Sequence, residues 1–289
     1  MFPGFFPHKD KLEVLASVLE SCDRPAIAFS GGQDSTFLAW FLRAFLDRRP
    51  HCLLADSALL SGRERTHALR TAEELGLPLD SIHLGLLDVP MIRKNSTQRC
   101  YHCKKELMSH FKKRAREVGC SILLDGTHAG DRGFRPGRRA LVELEVLSPL
   151  ERAGLDKQAM GEILRAAGLS SWTRPSQSCL ATRVAYGMPL SASLLGRIEQ
   201  AEDLLWKLGC RQVRVRCERW GARIEVDPRD FSLLVHEENR KEVLSRLEDL
   251  RFVRVALDLK GYRSGSWDEG PEPGDAGTAA ENRVARDLL

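Results

Sequence analysis

Two groups of residues in this 289-residue chain have the types and spacing to do chemistry. The first is Ser30-Gly31-Gly32-Gln33-Asp34-Ser35, which follows the apolar run Pro25-Ala26-Ile27-Ala28-Phe29. A buried strand that turns through two glycines into a helix points several backbone N–H groups at one place, and such a helix N-terminus attracts anions. Gly31 and Gly32 permit close backbone approach, the hydroxyls of Ser30 and Ser35 can donate to phosphate oxygens, and Asp34 can hold the magnesium ion that accompanies a polyphosphate. No lysine follows the glycines, so this is not a Walker A loop. The second group is made of thiols. Cys100-Tyr101-His102-Cys103 has the CxxC spacing of metal and redox sites, read here as sitting just before a helix, and Cys179 lies in a polar loop with Arg183 nearby. An adjacent arginine makes sulfur a better nucleophile or ligand. A lone CxxC is equally an ordinary pair of free thiols, because no second CxxC exists and His102 and His110 do not complete a zinc-finger pattern.

The elements that must carry these residues alternate. Helical spacing is expected over 9–21, 36–47, 61–76, 104–118, 156–167, 191–208 and 231–247, and strands over 25–29, 51–56, 79–84 and 121–125. This pattern implies an α/β fold with a mostly parallel sheet covered by helices on both faces, with ligands bound at the carboxyl ends of its strands. Residues 126–139 and 170–187 read as polar loops, and 141–150 as an extended segment. Beyond Gly209 the texture changes. Val213 and Val215 alternate with Arg214 and Arg216, and Ile224 and Val226 alternate with Arg223 and Glu225, as in half-exposed strands. The expected organisation is therefore a large domain over 1–175, a smaller C-terminal α/β domain over 176–268, and a Gly-, Pro- and acid-rich disordered tail over 269–289.

Composition narrows the function. A net charge of +4 with 29% charged residues and no long basic run favours small anions over nucleic acid. No uninterrupted apolar stretch is long enough to span a membrane, and MFPGFFPHKD lacks the pattern of a signal peptide, so a cytosolic protein is expected, with its eight cysteines as thiols rather than a disulfide framework. Cys22, Cys52, Cys120, Cys210 and Cys217 have apolar settings or no evident partner.

SGGQDS resembles the signature of the PP-loop ATP pyrophosphatases, of adenine nucleotide α-hydrolase-like fold, which cleave ATP between its α and β phosphates. Together with RCYHCKKEL (99–107), DGTHAGDRGFRPGRRA (125–140), PSQSCLATRVAYG (175–187) and LDLKGYRSGS (257–266), it makes the chain similar to the LarE family, the ATP-dependent sulfur transferases of nickel-pincer nucleotide biosynthesis. The resemblance implies adenylylation of a carboxylate of pyridinium-3,5-biscarboxylic acid mononucleotide, a small-molecule substrate, followed by displacement of AMP by sulfur. It implies a homo-oligomer. It also implies either a 4Fe-4S cluster on Cys100, Cys103 and Cys179, which the presence of three cysteines favours, or sacrificial donation of sulfur by Cys179. Asp131 matches an acidic family position expected to assist magnesium or substrate. Arg214 and Arg216 match a substrate-phosphate clamp, with Glu225 on the exposed face of the next strand and Arg183 as a further substrate contact. Gln33 and His128 depart from the family pattern. Two other reactions use the same loop: thiolation of a tRNA base, disfavoured by the mild charge, and amide synthesis with ammonia, which leaves the thiols without a purpose.

Overall fold

The computed structural model describes residues 6–131, 136–173 and 177–263. The expected disordered tail, the Ser264-Gly265-Ser266 end of the last motif, and Pro175 and Ser176 lie outside the described residues. The chain divides into two compact units, Met1–Glu199 and Gln200–Leu289.

The first unit runs α1 (Lys9–Glu20), β1 (Pro25–Ala28), α2 (Gln33–Leu46), β2 (His51–Asp56), α3 (Gly62–Glu74), β3 (Leu79–His83), α4 (Pro90–Arg93), α5 (Arg99–Glu117), β4 (Ile122–Leu124), α6 (Pro136–Glu143), α7 (Pro149–Arg152) and α8 (Lys157–Ala166). It ends in α9 (Ala192–Lys207), inside which the division between the units falls. All four strands are parallel, in the order β3-β2-β1-β4. Successive side chains of a strand face opposite sides. Ile27, Cys52, Leu54 and Leu124 accordingly enter one core with Leu12, Leu15 and Leu19 of α1, Phe37, Phe41 and Leu42 of α2, and Met160, Ile163 and Leu164 of α8. Ala26, Leu53 and Leu123 enter the other with Met108, Phe111 and Ala115 of α5. Each fully buried side chain of this size contributes about 1.5–3 kcal/mol. The sheet is thus covered on both faces, and β1 lies where the chain steps to β2 on one side and β4 on the other, the position at which parallel sheets open a crevice.

Some local expectations for the first unit differ from the structure. Residues 141–150 are not extended: α6 runs to Glu143, and only Leu147 bridges in parallel to Leu124 before α7 begins. The CxxC does not precede its helix but forms its start, because α5 begins at Arg99. Residues 177–199, assigned above to the C-terminal domain, belong to the first unit, to which Leu180 N–H (to Leu59 O, 2.9 Å) and Leu190 N–H (to Arg93 O, 2.8 Å) tie them.

The second unit holds the rest of α9, β5 (Val213–Glu218), β6 (Gly221–Val226), α10 (Phe231–Val235), α11 (Glu237–Asp249) and β7 (Val255–Leu257). β6 pairs antiparallel with β5 and parallel with β7. One helix was expected over 231–247; His236, with φ −55° and ψ 134°, breaks it in two. No helix among the described residues is long and apolar enough to cross a membrane.

Candidate functional site

The Ser-Gly-Gly turn joins β1 to α2. Gly31 has φ 69°, and a Cβ there would lie 2.5 Å from the Cα of Ala68 in α3, so only glycine fits. His67 of α3 adds a contact from its Nε2 to Gly31 O at 3.0 Å. Within the turn, Ser30 N–H donates to Ser35 Oγ (3.2 Å), Gly32 N–H to Ser30 Oγ (3.3 Å), and Ser35 Oγ to Gly32 O (3.3 Å). The hydroxyls therefore shape the loop internally. Gln33, the departure from the family pattern, ties the loop to α8 by donating from Nε2 to Lys157 O at 2.8 Å.

Asp34 occupies the first turn of α2, where the helix field favours a carboxylate. Its Oδ2 is 3.7 Å from Lys157 Nζ, while its Oδ1 is buried without a hydrogen-bond partner. Burial raises the Asp34 carboxyl above its ordinary range; Lys157 and His128 oppose this and Asp131 reinforces it. His128, itself buried, accepts from Gly130 N–H through Nδ1 (3.0 Å), and its Nε2 lies 3.6 Å from Asp131 Oδ2. Asp34 and Asp131 thus share one electrostatic neighbourhood, and an orphaned carboxylate oxygen there is the kind of atom a cation satisfies. Among the described residues no group of three or more His, Cys, Asp or Glu side chains could hold a metal ion. Magnesium needs no such cage, since it is commonly held by one or two carboxylates, water and substrate phosphates.

The 125–128 segment closes the loop from the β4 side. A Cβ on Gly126 would sit 3.2 Å from both Asp34 Cβ and Ser35 N, so glycine there lets the segment lie against the turn. Buried Asp125 accepts from Thr127 Oγ1 (2.7 Å) and Ser148 Oγ (2.6 Å) and lies 3.6 Å from Lys104 Nζ. Lys104 follows Cys103 in α5, so one ion pair connects the segment beside the loop to the helix that carries two of the thiols.

All eight cysteines are free thiols, and Cys179 is the exposed one among them. Cys100, Cys103 and Cys179 are brought together. Burial pushes the Cys103 thiol up to about 12, and the nearby Cys179 and Cys100 push in the same direction against Lys104 and Arg99. Sequence reasoning missed Arg99, which is 2% exposed and places Nη2 3.5 Å from Cys100 Sγ. The arginine immediately before the CxxC was the available signal. Arg183 is also buried. Its Nη1 donates to Ser178 O (2.6 Å) and Cys179 O (3.1 Å), so it shapes the Cys179 loop rather than standing as an outlying substrate contact.

In the second unit the expected half-exposed face is buried. Arg214 and Glu225 are each 1% exposed and face each other across β5 and β6. Arg216 donates to Glu225 Oε2 from Nε (3.1 Å) and Nη2 (2.9 Å); Arg223 Nη1 donates to Glu225 Oε1 (2.9 Å) and pairs with Asp258. Arg214 lies over the Tyr262 ring at 4.9 Å. Glu225 is therefore a buried counter-ion and not an exposed strand residue: charges that neutralise one another can be buried where an alternating pattern alone suggests solvent.

No protein-family model matches the chain. It is 34% identical over 258 residues to an uncharacterised protein of Synechocystis, covering 89% of this chain and 96% of that one. It is 32% identical over 260 residues to the pyridinium-3,5-bisthiocarboxylic acid mononucleotide synthase of Lactiplantibacillus plantarum, covering 88% and 92%. An uncharacterised protein of Methanocaldococcus jannaschii is 28% identical over 239 residues, covering 82% and 90%. With the parallel sheet, the Ser-Gly-Gly turn and the gathered thiols, this identity over most of both chains means that the protein belongs to the LarE family, that of the pyridinium-3,5-bisthiocarboxylic acid mononucleotide synthases.

Proposed function

We propose that this protein is an ATP-dependent sulfur transferase that converts a carboxylate of pyridinium-3,5-biscarboxylic acid mononucleotide into a thiocarboxylate. The observation that carries the reading is the convergence of Cys100, Cys103 and Cys179 around Arg99 in the same unit as the Ser30–Ser35 turn, in a chain akin to the synthase.

In this reading the turn binds the phosphates of ATP, and Asp34, assisted by Asp131, holds magnesium. A substrate carboxylate oxygen attacks the α-phosphorus, the bond to the β-phosphate oxygen breaks, and pyrophosphate leaves. The acyl adenylate so formed has AMP as a leaving group, which an unactivated carboxylate lacks. Sulfur then attacks the carbonyl carbon, and AMP departs with one of the original carboxylate oxygens.

Three soft thiols within electrostatic reach of one another suit iron–sulfur ligation. Thiolates on separate corners of a cluster stand farther apart than ligands on one ion, so this reading does not need a single-ion site. A 4Fe-4S cluster held by Cys100, Cys103 and Cys179 would supply an open iron able to carry the extra sulfide. The exposure of Cys179 favours a second reading, in which Cys179 sulfur attacks the adenylate and its Cβ–S bond then breaks by elimination to leave dehydroalanine. Anaerobic purification with iron and sulfide analysis, on the protein and on Cys100→Ser, separates them. Iron lost in Cys100→Ser together with thiolating activity supports the cluster. An iron-free protein that still thiolates, with Cys179 converted to dehydroalanine by intact mass, overturns it.

A further inference from the structure

Asn95, between α4 and α5, and Arg99, the first residue of α5, lie four residues apart and are 0% and 2% exposed, a rare placement for such polar side chains. Asn95 adopts φ 53°, a left-handed backbone that points it into the loop over 179–187. Its Nδ2 donates to Val184 O (3.2 Å) and Ala185 O (2.9 Å), and its backbone carbonyl accepts from Gly187 N–H (3.0 Å). Its Oδ1 accepts from Arg99 Nη1 at 2.5 Å, and the same Nη1 donates to Ala181 O at 2.9 Å. The guanidinium reaches Cys100 Sγ with Nη2 and lies 5.4 Å from the centre of the Tyr186 ring. Every one of these contacts falls either on the CxxC end of α5 or on the loop that carries Cys179.

Among the described residues, the hydrogen-bond partners of Arg99 are carbonyl, amide and sulfur atoms, with no carboxylate among them. Burying a cation on such partners is expensive where a methionine of similar length would fill the space. The arrangement makes sense if the geometry it enforces is needed and if negative sulfur sits beside it in the working protein. We infer that Asn95 and Arg99 form a clamp that fixes the distance between Cys100 and Cys179, making Arg99 the positioning residue that presents both sulfurs to one acceptor. The purpose assigned to the clamp rests on the proposed sulfur transfer; the clamp itself does not.

The test uses the full, reduced, metal-free chain carrying Cys103→Ser, so that Cys100 and Cys179 are the pair to be bridged. Dibromobimane joins two thiols, each sulfur displacing one bromide, and the bridge is located by peptide mass. Bridging is set by how often the two sulfurs meet, so adding Arg99→Met should slow it at least about tenfold. The rate at which iodoacetamide alkylates Cys179 is measured in each protein and divides out the change in thiol reactivity that losing the Arg99 charge brings. Arg99→Lys, which keeps the charge and can reach one carbonyl, should recover part of the bridging rate and serves if the methionine variant does not fold. Equal bridging with and without Arg99, or no bridge in the Cys103→Ser parent, overturns the clamp. Iron content and thiocarboxylate formation by the unsubstituted protein are read separately. Arg99-dependent bridging without either leaves the clamp standing and overturns sulfur transfer; both present with Arg99-independent bridging overturns the clamp alone.

Discussion

Asp34 gives the sharpest separation between what the fold wants and what the site needs. Its carboxylate is 3.7 Å from Lys157 Nζ, an attraction of about 4 kcal/mol at an effective dielectric of about 20. The side chains of Asp34 and Lys157 are 25% and 43% exposed, so solvent and salt screen this to about 1 kcal/mol or less. Desolvating an ion still costs several kcal/mol, and one carboxylate oxygen has no hydrogen-bond partner. The balance is unfavourable, in agreement with the raised pKa that burial produces. Asp34→Asn removes the charge but keeps a polar group at the same place, so the unliganded protein is expected to gain only on the order of 1 kcal/mol of the several that desolvating the charge costs. The folded carboxyl holds its proton more tightly than the unfolded one, whose ordinary value is 3.8. The penalty therefore grows as pH rises from 3.8 through the folded value and is constant above, so the gain in Asp34→Asn should be full at neutral pH and vanish in acid. With MgATP at about 100 times Kd, the parent should be stabilised by about 2.7 kcal/mol and the variant by almost nothing. Thermal melts with and without MgATP read both effects. An unliganded variant less stable than the parent by more than about 1 kcal/mol, or one that keeps the magnesium-dependent shift, refutes this reasoning.

Three further outcomes follow from single contacts. Gly31→Ala forces a left-handed alanine, about 1–2 kcal/mol, and drives its Cβ into the Ala68 backbone; chemical denaturation should show a loss above about 2 kcal/mol, which Ala68→Gly should not restore because the clashing Cα remains. In reduced, metal-free protein at pH 8, iodoacetamide should label Cys179 well before Cys103, whose thiol burial pushes up to about 12; the reverse order by peptide mass contradicts the site described. In the second unit, burial acts to raise the Asp230 carboxyl, but hydrogen bonds from Arg211 N, Nε and Nη2 at 2.8, 3.0 and 2.6 Å hold it below its ordinary 3.8. Asp230→Ala should cost about 2 kcal/mol at neutral pH, and the difference should disappear as pH falls from 3.8 through the lower folded value.

The sheet was legible because its strands are short apolar runs between amphipathic helices, and the Ser-Gly-Gly turn because few other residues fit such a junction. Pattern reading failed where polar groups satisfy one another. Arg214, Arg216 and Glu225 alternate with valines and isoleucine like a solvated face, yet Arg216 pairs with Glu225 across β5 and β6, Arg214 lies over the Tyr262 ring, and all three are buried. Arg99 and Asn95 escaped notice for the same reason: their partners, Ala181, Val184 and Ala185, lie more than 80 residues away, and no local periodicity reports such a contact. The start of α5 was placed too late because Cys100-Tyr101-His102-Cys103 has weak helix preference and the helix start is held by the tertiary bonds of Arg99.

The central claim is that the Ser30–Ser35 turn makes a carboxylate vulnerable to sulfur by adenylylation. It is tested most directly by supplying the dicarboxylate mononucleotide with heavy oxygen in its carboxylates, together with MgATP, and analysing AMP by mass. The expected result is AMP carrying one heavy oxygen for each thiocarboxylate formed, with an equal amount of pyrophosphate. Thiocarboxylate formed with unlabelled AMP, or with ADP and phosphate in place of AMP and pyrophosphate, would contradict the account.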